Sequence, residues 1–394
     1  MLSGSNILLG ITGSIAAYKA ADLARRLIEV GAKVRVVMTE AACRFIPPYT
    51  LEAITGNDVH VDLFKDPYSH INLAAESDLF IIAPATANTI NKLACGLADN
   101  LLSNLWLTYD GPSLIAPAMN TRMYNNRMVL SNISNFKKSG VEIVGPAKGS
   151  LACGEEGEGR MSEVSEIVEA AISVMTPHDL AGQNIMITAG PTQEPIDPVR
   201  YISNRSSGKM GYALALAAKR RGAEVTLISG PCSLNPPYGV SVIYAETSGD
   251  MEKAVFKHLD KAATVIMSAA VSDFRTDSTA KNKLDKSDIN SLKLKKTSDI
   301  LKKLGTKKGK RFLIGFAAES GKNVKRAAAK LKEKKLDLMV LNDISQEGAG
   351  FDSDTNIVTL IHKTGDTKDY PIMDKIEVAH IILDSIKGAK KGKL

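Results

Sequence analysis

Short runs of Val, Ile and Leu alternate along this chain with longer stretches whose apolar residues recur at helical spacing. The first run, "NILLGIT", ends in a glycine turn. "SIAAYKAADLARRLIEVG" then has the period of an amphipathic helix, and "AKVRVVMT" returns to a strand pattern. "LFIIAPAT", "SLIAPAM" and "VEIVGP" come next, at intervals that leave room for helices. Continuous Val/Ile/Leu runs bounded by Gly and Pro suit strands buried on both faces of a parallel sheet. The alternation predicts a doubly wound α/β fold.

The pattern stops around "MTPHDLAGQ", with Pro177 and Gly182 as punctuation, and restarts at "NIMITAGPT". In the second half "LALAAKRRGAEVTLISGP" echoes the order helix, Gly-Ala, strand of "LARRLIEVGAKVRVVMT". "ATVIMSAAV", "RFLIGFAA", "LDLMVLND" and "NIVTLIH" supply further strands. With 394 residues the chain is too long for one ordinary core. Two doubly wound, Rossmann-like domains are expected, 1–180 and 181–394.

Composition sharpens this picture only a little. Apolar residues make up 44% and charged residues 24% of the chain, values of a soluble globular protein. The start shows no basic region leading into an apolar run and a cleavage site, so no signal peptide is expected. No uninterrupted apolar stretch approaches the ~20 residues of a membrane helix. The four cysteines, Cys43, Cys95, Cys153 and Cys232, lie far apart without metal or disulfide spacing, which fits a reducing cytoplasm. The net charge of +7 is concentrated in the lysines between Lys281 and Arg311. That segment reads as solvated surface, or as a loop over a phosphorylated ligand. It has no aromatic residue on which a base could stack, which weakens a nucleic-acid role.

Several short motifs carry candidate chemistry. "GITGSIAAYK" puts Gly10, Gly13 and Ser14 at a turn into a helix, where backbone N–H groups and the helix dipole favour an anion. The dinucleotide fingerprint G-x-G-x-x-G is absent. Hydroxyls and amides succeed the strand ending at Thr39 and recur in "APATANTINKLACGLADN", beyond strand C-termini where open sheets bind ligands. One phosphate site with many neutral hydrogen-bonding groups suits a mononucleotide such as FMN. "SHINLA" contributes His70, and "APAMN" places Asn120 just after a strand, where a buried amide needs a partner. "SLACGEEGEGRM" sets Cys153 among glycines and glutamates that cannot pack a core, so its thiol is expected in a mobile, solvent-reachable loop.

Taken in order, Gly-Ile-Thr-Gly-Ser, Ser-His-Ile-x-Leu, Pro-Ala-Met-Asn and Ala-Cys-Gly-Glu-x-Gly-x-Gly-Arg-Met resemble the flavin-dependent cysteine decarboxylases. "AGPTQEPIDPVRYISNRSSGKMG" and, further on, "AAVSDF" resemble phosphopantothenate–cysteine ligase. Both in one chain, in this order, resemble the bifunctional decarboxylase/ligase family of bacterial coenzyme A synthesis. The resemblance runs over essentially the full length. It implies a flavodoxin-like flavin domain, then a nucleotide-binding ligase domain.

For the first half the resemblance implies FMN bound by Gly13, Ser14, Ile15, Thr39, Thr86, Asn88, Thr89, Ala118 and Met119. Losing CO2 directly from an acyl-cysteine leaves a carbanion without an electron sink. The family oxidises the CH2–SH carbon first, so that the new C=S accepts the electrons when CO2 departs. By the same resemblance Cys153 is the proton donor, an ordinary thiol of pKa about 8.5 being mostly protonated at neutral pH. The glycine-rich segment would close over substrate as a flap. His70 would act at the oxidation step and Asn120 would hold the substrate carboxylate.

For the second half the resemblance implies CTP. The carboxylate of 4′-phosphopantothenate attacks the α-phosphate, pyrophosphate leaves, and the cysteine amine attacks the acyl-cytidylate. Positioning and cations should dominate such a step, with Mg2+ on the triphosphate. Asn204 belongs to the acyl-cytidylate site. Met267, Ser268, Ala269, Asp273, Lys283, Ser298, Asp299, Ile300, Leu301, Phe316, Lys330 and Lys334 belong to the nucleotide site. "SSGKMG" fails as a P-loop, because Ser203 stands where Gly is needed and Met210 where Ser or Thr is needed. Three positions depart from the family pattern: Asp285 replaces a lysine, which leaves Lys283 and Lys286 as candidates for one role; Ser298 replaces a proline; Ser14 replaces a glycine. The implied assembly is a dodecamer of flavin-domain trimers and ligase-domain dimers. Two other readings stay open, a decarboxylase with an inactive ligase half and a flavoprotein with a regulatory or nucleic-acid-binding role.

Overall fold

The computed structural model describes residues 2–150, 154–285, 291–319, 321–343, 345–346, 348, 350 and 352–390, with side chains through 386. Cys153 and Lys286 therefore lie outside the described residues. The chain divides into two compact units, Met1–Thr176 and Pro177–Leu394.

In the first unit the strands β1 (Asn6–Ile11), β2 (Lys33–Met38), β3 (Val59–His60), β4 (Leu79–Ala85), β5 (Ser113–Pro117) and β6 (Glu142–Ile143) form one parallel sheet in the order 3-2-1-4-5-6. Without the two-residue β3 the order is that of flavodoxin; with it, that of the Rossmann fold. All of β4 is buried, since helices cover both faces. The helix Lys19–Glu29 shows why: its buried residues Ala20, Leu23, Ala24 and Leu27 share one stripe, while Asp22 and Arg26 pair on the opposite side.

Beyond β6, β7 (Ala147–Ser150) and β8 (Glu156–Arg160) pair antiparallel as a ribbon. The sequence pattern reads this stretch as loop because of its glycines. Two of those glycines, Gly157 and Gly159, serve close packing instead. A Cβ on Gly157 would lie 2.5 Å from the Oγ1 of Thr121, and one on Gly159 would lie 2.3 Å from the carbonyl oxygen of Met119. The Met119 N–H also donates to the carbonyl oxygen of Gly159 at 2.9 Å. Only a strand without side chains at these two points can lie on the 119–121 loop.

The second unit repeats the plan. It comprises β9 (Asn184–Ala189), β10 (Gln193–Pro195), β11 (Tyr201–Ser203), β12 (Glu224–Ser229), β13 (Ser241–Tyr244), β14 (Thr264–Met267), β15 (Phe274–Thr276), β16 (Leu294–Lys296), β17 (Phe312–Glu319), β18 (Leu338–Asp343), β19 (Thr355–His362) and β20 (Thr367–Asp374). The main sheet runs β13-β12-β9-β14-β17-β18-β19-β20. Its six leading strands are parallel, and β19 and β20 add to the edge antiparallel. β10/β11 and β15/β16 form small antiparallel ribbons. The helix Lys209–Arg220 packs so tightly on β9 that a Cβ on Gly211 would lie 2.5 Å from that of Ala189. Among the described residues no helix is long and apolar enough to cross a membrane.

Candidate functional site

A cavity of about 1180 Å³ in the first unit opens beyond the carboxyl ends of its strands, at the switch point between β1 and β4. Three short turns build one wall. Ser14 comes after β1 and accepts from the N–H of Ala16; Thr39 comes after β2 and accepts from that of Ala42; Thr86 comes after β4 and accepts from that of Thr89. Each hydroxyl fixes its helix entry, so the cavity faces hydroxyls and backbone amides that are already oriented. Gly13 must be glycine here, because a Cβ would lie 2.5 Å from that of Ala41. The β1 and β4 ends are tied by Thr12, which donates to the Pro84 carbonyl at 2.7 Å and accepts from the Thr86 N–H at 3.0 Å.

Every residue assigned by resemblance to flavin lines this cavity: Gly13, Ser14, Ile15, Thr39, Thr86, Asn88, Thr89, Ala118 and Met119. Asn120 lines it too. Its Oδ1 caps the short helix Thr121–Tyr124, and its Nδ2 donates to Glu155 Oε2 at 3.0 Å. Glu155 also pairs with Arg122, whose Nη2 is 2.7 Å from Oε1. The Asn120 amide, and then the Arg122 charge, hold the Glu155 carboxyl below its usual range. His70 does not line the cavity. It lies in the first turn of the helix Ser69–Ala75, with its carbonyl accepting from Thr108 Oγ1 at 2.9 Å and its Nδ1 buried without a partner. Sequence reasoning did not assign Tyr18, Lys19, the Val61–Phe64 stretch or the Asp99–Ser103 stretch, which also belong to the lining. The motifs "GITGSIAAYK", which ends in Tyr18 and Lys19, and "ADN" at 98–100 pointed to some of them; nothing local pointed to Val61–Phe64.

A second cavity, of about 420 Å³, sits at the corresponding place in the second unit. The residues after β14 form one side and the end of β17 another. The N-terminus of the helix Lys209–Arg220 caps it, with Gly208 at φ +79° leading in. "SSGKMG" is thus no P-loop by residue type, yet it occupies the place where such a loop presents backbone N–H groups. Asn204, Ser268, Ala269, Asp273, Phe316 and Lys330 line this cavity. Asn204 bridges two distant segments: its Nδ2 lies 3.3 Å from the Ala270 carbonyl and 3.1 Å from that of Val271.

The remaining expected residues are not among its lining. Met267 is buried at the end of β14, its sulfur 3.7 Å from Thr188 Oγ1. Asp299 caps the helix Ile300–Thr306, to which Leu301 also belongs, and pairs with Lys334 at 2.9 Å. Ser298 precedes it with a buried Oγ that has no partner. Lys283 is exposed. Its neighbour Leu284 is gripped by Asp197, which accepts its N–H at 3.2 Å, and by Arg200, which donates to its carbonyl at 3.2 Å. Unexpected wall residues are Asn342, Asn356 and Lys375. Lys375 is 7% exposed, and burial pushes its ammonium pKa down. No local motif marks these three; they arrive from β18, β19 and the last helix.

Among the described residues no cluster of three or more His, Cys, Asp or Glu could hold a metal ion.

Fold and cavities together define a two-unit α/β protein with a ligand cavity at the switch point of each sheet. The family described as Flavoprotein matches residues 1–176, and that described as DNA/pantothenate metabolism flavoprotein C-terminal domain matches residues 180–389. The chain is 46% identical over 400 residues to the coenzyme A biosynthesis bifunctional protein CoaBC of Bacillus subtilis (strain 168), covering 99% of this chain and 98% of the relative. It is 44% identical over 396 residues to the protein of the same name from Escherichia coli (strain K12), covering 98% and 97%. A crystal structure of the C-terminal domain of such a protein aligns with 55% of this chain and 99% of its own, at 42% identity and a TM-score of 0.48. The chain belongs to the family of coenzyme A biosynthesis bifunctional proteins.

Proposed function

We propose that the chain joins cysteine to 4′-phosphopantothenate with CTP in its second unit and decarboxylates the product to 4′-phosphopantetheine in its first, as a flavoprotein carrying FMN. The observation that carries this reading is the convergence on one cavity of every residue assigned to the flavin, together with Asn120. The fit to FMN is physical. The cavity exceeds the usual size of a single-ligand pocket, leaving room for substrate beside a mononucleotide. Gly13 packs its turn against Ala41, and the Gly13–Ala16 backbone of that turn lines the cavity where a phosphate would approach.

When bound, FMN supplies the reversible oxidation of the thiol-bearing carbon that makes loss of the adjacent CO2 feasible. The chain's own residues bind and orient. Ser14, Thr39 and Thr86 present pre-set hydroxyls, Asn120 takes the substrate carboxylate, and the β7/β8 ribbon covers the Met119–Thr121 edge against water. Cys153 is assigned the proton donation on the family resemblance, and His70 the handling of the substrate thiol.

In the second unit the helix N-terminus at Lys209 and the cations Lys209, Lys330 and Lys375 suit a polyphosphate. Lys209 and Lys330 are held by Asp354 and Glu319, each at 2.7 Å, so their positions are set before a ligand arrives. Asn204 fixes the segment after β14 against which the acyl-cytidylate would lie. Lys283, Asp299 and Lys334 belong to a nucleotide subsite beside the cavity. Mg2+ enters with the triphosphate rather than through a protein cage. The same reading carries the dodecameric assembly, which a light-scattering mass would check.

The test is a coupled assay with 4′-phosphopantothenate, cysteine and Mg2+ plus CTP or ATP, with products read by mass. 4′-Phosphopantetheine formed with CTP supports both halves. Absence of phosphopantothenoylcysteine removes the ligase, and its accumulation without CO2 loss removes the decarboxylase.

A further inference from the structure

Glu155 lies just before β8, two residues from Gly157, whose bare backbone seats the ribbon on Thr121. Its carboxylate accepts from both Asn120 and Arg122. Oε2 takes the Asn120 amide at 3.0 Å and Oε1 takes the Arg122 guanidinium at 2.7 Å. A neutral amide and a guanidinium meeting the two oxygens of one carboxylate form a carboxylate-recognition pair. Asn120 lines the cavity; Arg122 is not among its lining, and its side chain, 85% exposed, reaches Asn120 only through the shared Glu155 carboxylate. The same Asn120 is assigned to the carboxylate of the substrate, so the inference rests on the decarboxylase reading above.

We propose that Asn120 and Arg122 together form the substrate-carboxylate site, and that Glu155 occupies it as an intramolecular competitor which latches the β7/β8 ribbon until a substrate carboxylate displaces it. The chemistry is an exchange of one carboxylate for another on the same two donors. It requires no proton or electron transfer, and it couples substrate entry to release and reseating of the ribbon. Arg122 is then a specificity-determining residue, and Glu155 is a positioning residue that acts through the pair.

The test uses the full-length protein purified with its flavin. The decarboxylation half-reaction gives KM for 4′-phosphopantothenoylcysteine, and 4′-phosphopantetheine, which lacks that carboxylate, gives Ki as a competitor. Glu155→Gln should lower KM about two- to fivefold, the range of an exposed ion pair, with Ki unchanged. Arg122→Gln should raise KM by a similar factor, also with Ki unchanged, and should still do so in the Glu155→Gln background. Parallel changes in KM and Ki would show that the pair does not read the carboxylate. Loss of the Arg122 effect once Glu155 is neutral would show that Arg122 serves the ribbon alone. Either result overturns the proposal. Independently, amide hydrogen exchange at residues 156–160 should quicken in Glu155→Gln; unchanged exchange rules out the latch. If the wild-type protein decarboxylates nothing, the functional reading has failed and the latch is judged on exchange alone.

Discussion

Both units order their parallel strands 3-2-1-4-5-6 and open a cavity beyond the same strand ends, yet the walls differ in kind. In the first, hydroxyls that cap helix entries face a wide space, and a glycine ribbon closes one edge. In the second, lysines held by carboxylates surround a smaller space under a glycine-led helix N-terminus. Even the tie between the first and fourth strands is repeated with a change. Buried Thr12 bonds to the Pro84 carbonyl and the Thr86 N–H, while buried Thr188 bonds to the Met267 sulfur and the Ala269 N–H. One scaffold thus carries a wall of hydroxyls and amides in one unit and a wall of paired lysines in the other. The chemistry resides in the turns and helix entries beyond the strand ends.

The strongest way to break the comparison is to disable one unit and read both. Gly13→Val should abolish flavin absorbance in the purified protein, since even a Cβ meets Ala41, while CTP-dependent ligation persists. A variant that stays yellow would remove the first cavity from the flavin assignment. The mirror experiment, Asn204→Ala, should reduce ligation about 100-fold by releasing the segment after β14, with decarboxylation of supplied phosphopantothenoylcysteine unaffected. Equal loss in both assays would mean that Asn204 supports folding generally.

A subtler contrast uses the paired threonines. Thr12→Val leaves the Thr86 N–H without its acceptor and should cost about 1–3 kcal/mol in the first unit's unfolding. Thr188→Val should cost less, because one of its two bonds is to a sulfur, a weak acceptor. Denaturant midpoints read by flavin release and by tyrosine fluorescence would check the order.

The smallest expected effect is acid lability of the second unit. Asp343 ends β18 and accepts from the Gly321 and Ser345 N–H groups, the Ser345 hydroxyl and the Gln346 amide, which hold its pKa at about 2, the Ser345 hydroxyl contributing most. A depressed carboxyl stabilises fully above its unfolded value of about 3.9 and loses that contribution as pH falls through the folded value. Unfolding free energy should therefore decline between about pH 4 and pH 2, with a shallower decline in Asp343→Asn. Identical slopes would remove Asp343 as the cause.

Most of the sheet was legible along the chain. The apolar runs at β1, β2, β4, β5, β9, β12, β14, β17, β18 and β19 are local signals, as are the glycines and prolines that end them. β7 and β8 were not legible, because glycines selected for contact with Met119 and Thr121 look like glycines selected for a turn. The antiparallel edge was also hidden, since periodicity carries no strand direction. For the sites, every residue that the resemblance assigned to the flavin lines the first cavity, but the resemblance did not reach Val61–Phe64 there and could not place Lys375, Asn342 or Asn356 beside Asn204.

Neighbours along the chain set where elements begin and end, the division into two units, and which residue types are available for chemistry, so all of these can be read in one dimension. Which of those residues meet is settled only by packing in three. Asn204 reaches a carbonyl 66 positions away, and Lys209 reaches a carboxylate 145 positions away. Such contacts arise from sheet order and close packing, and neither is written in any contiguous stretch.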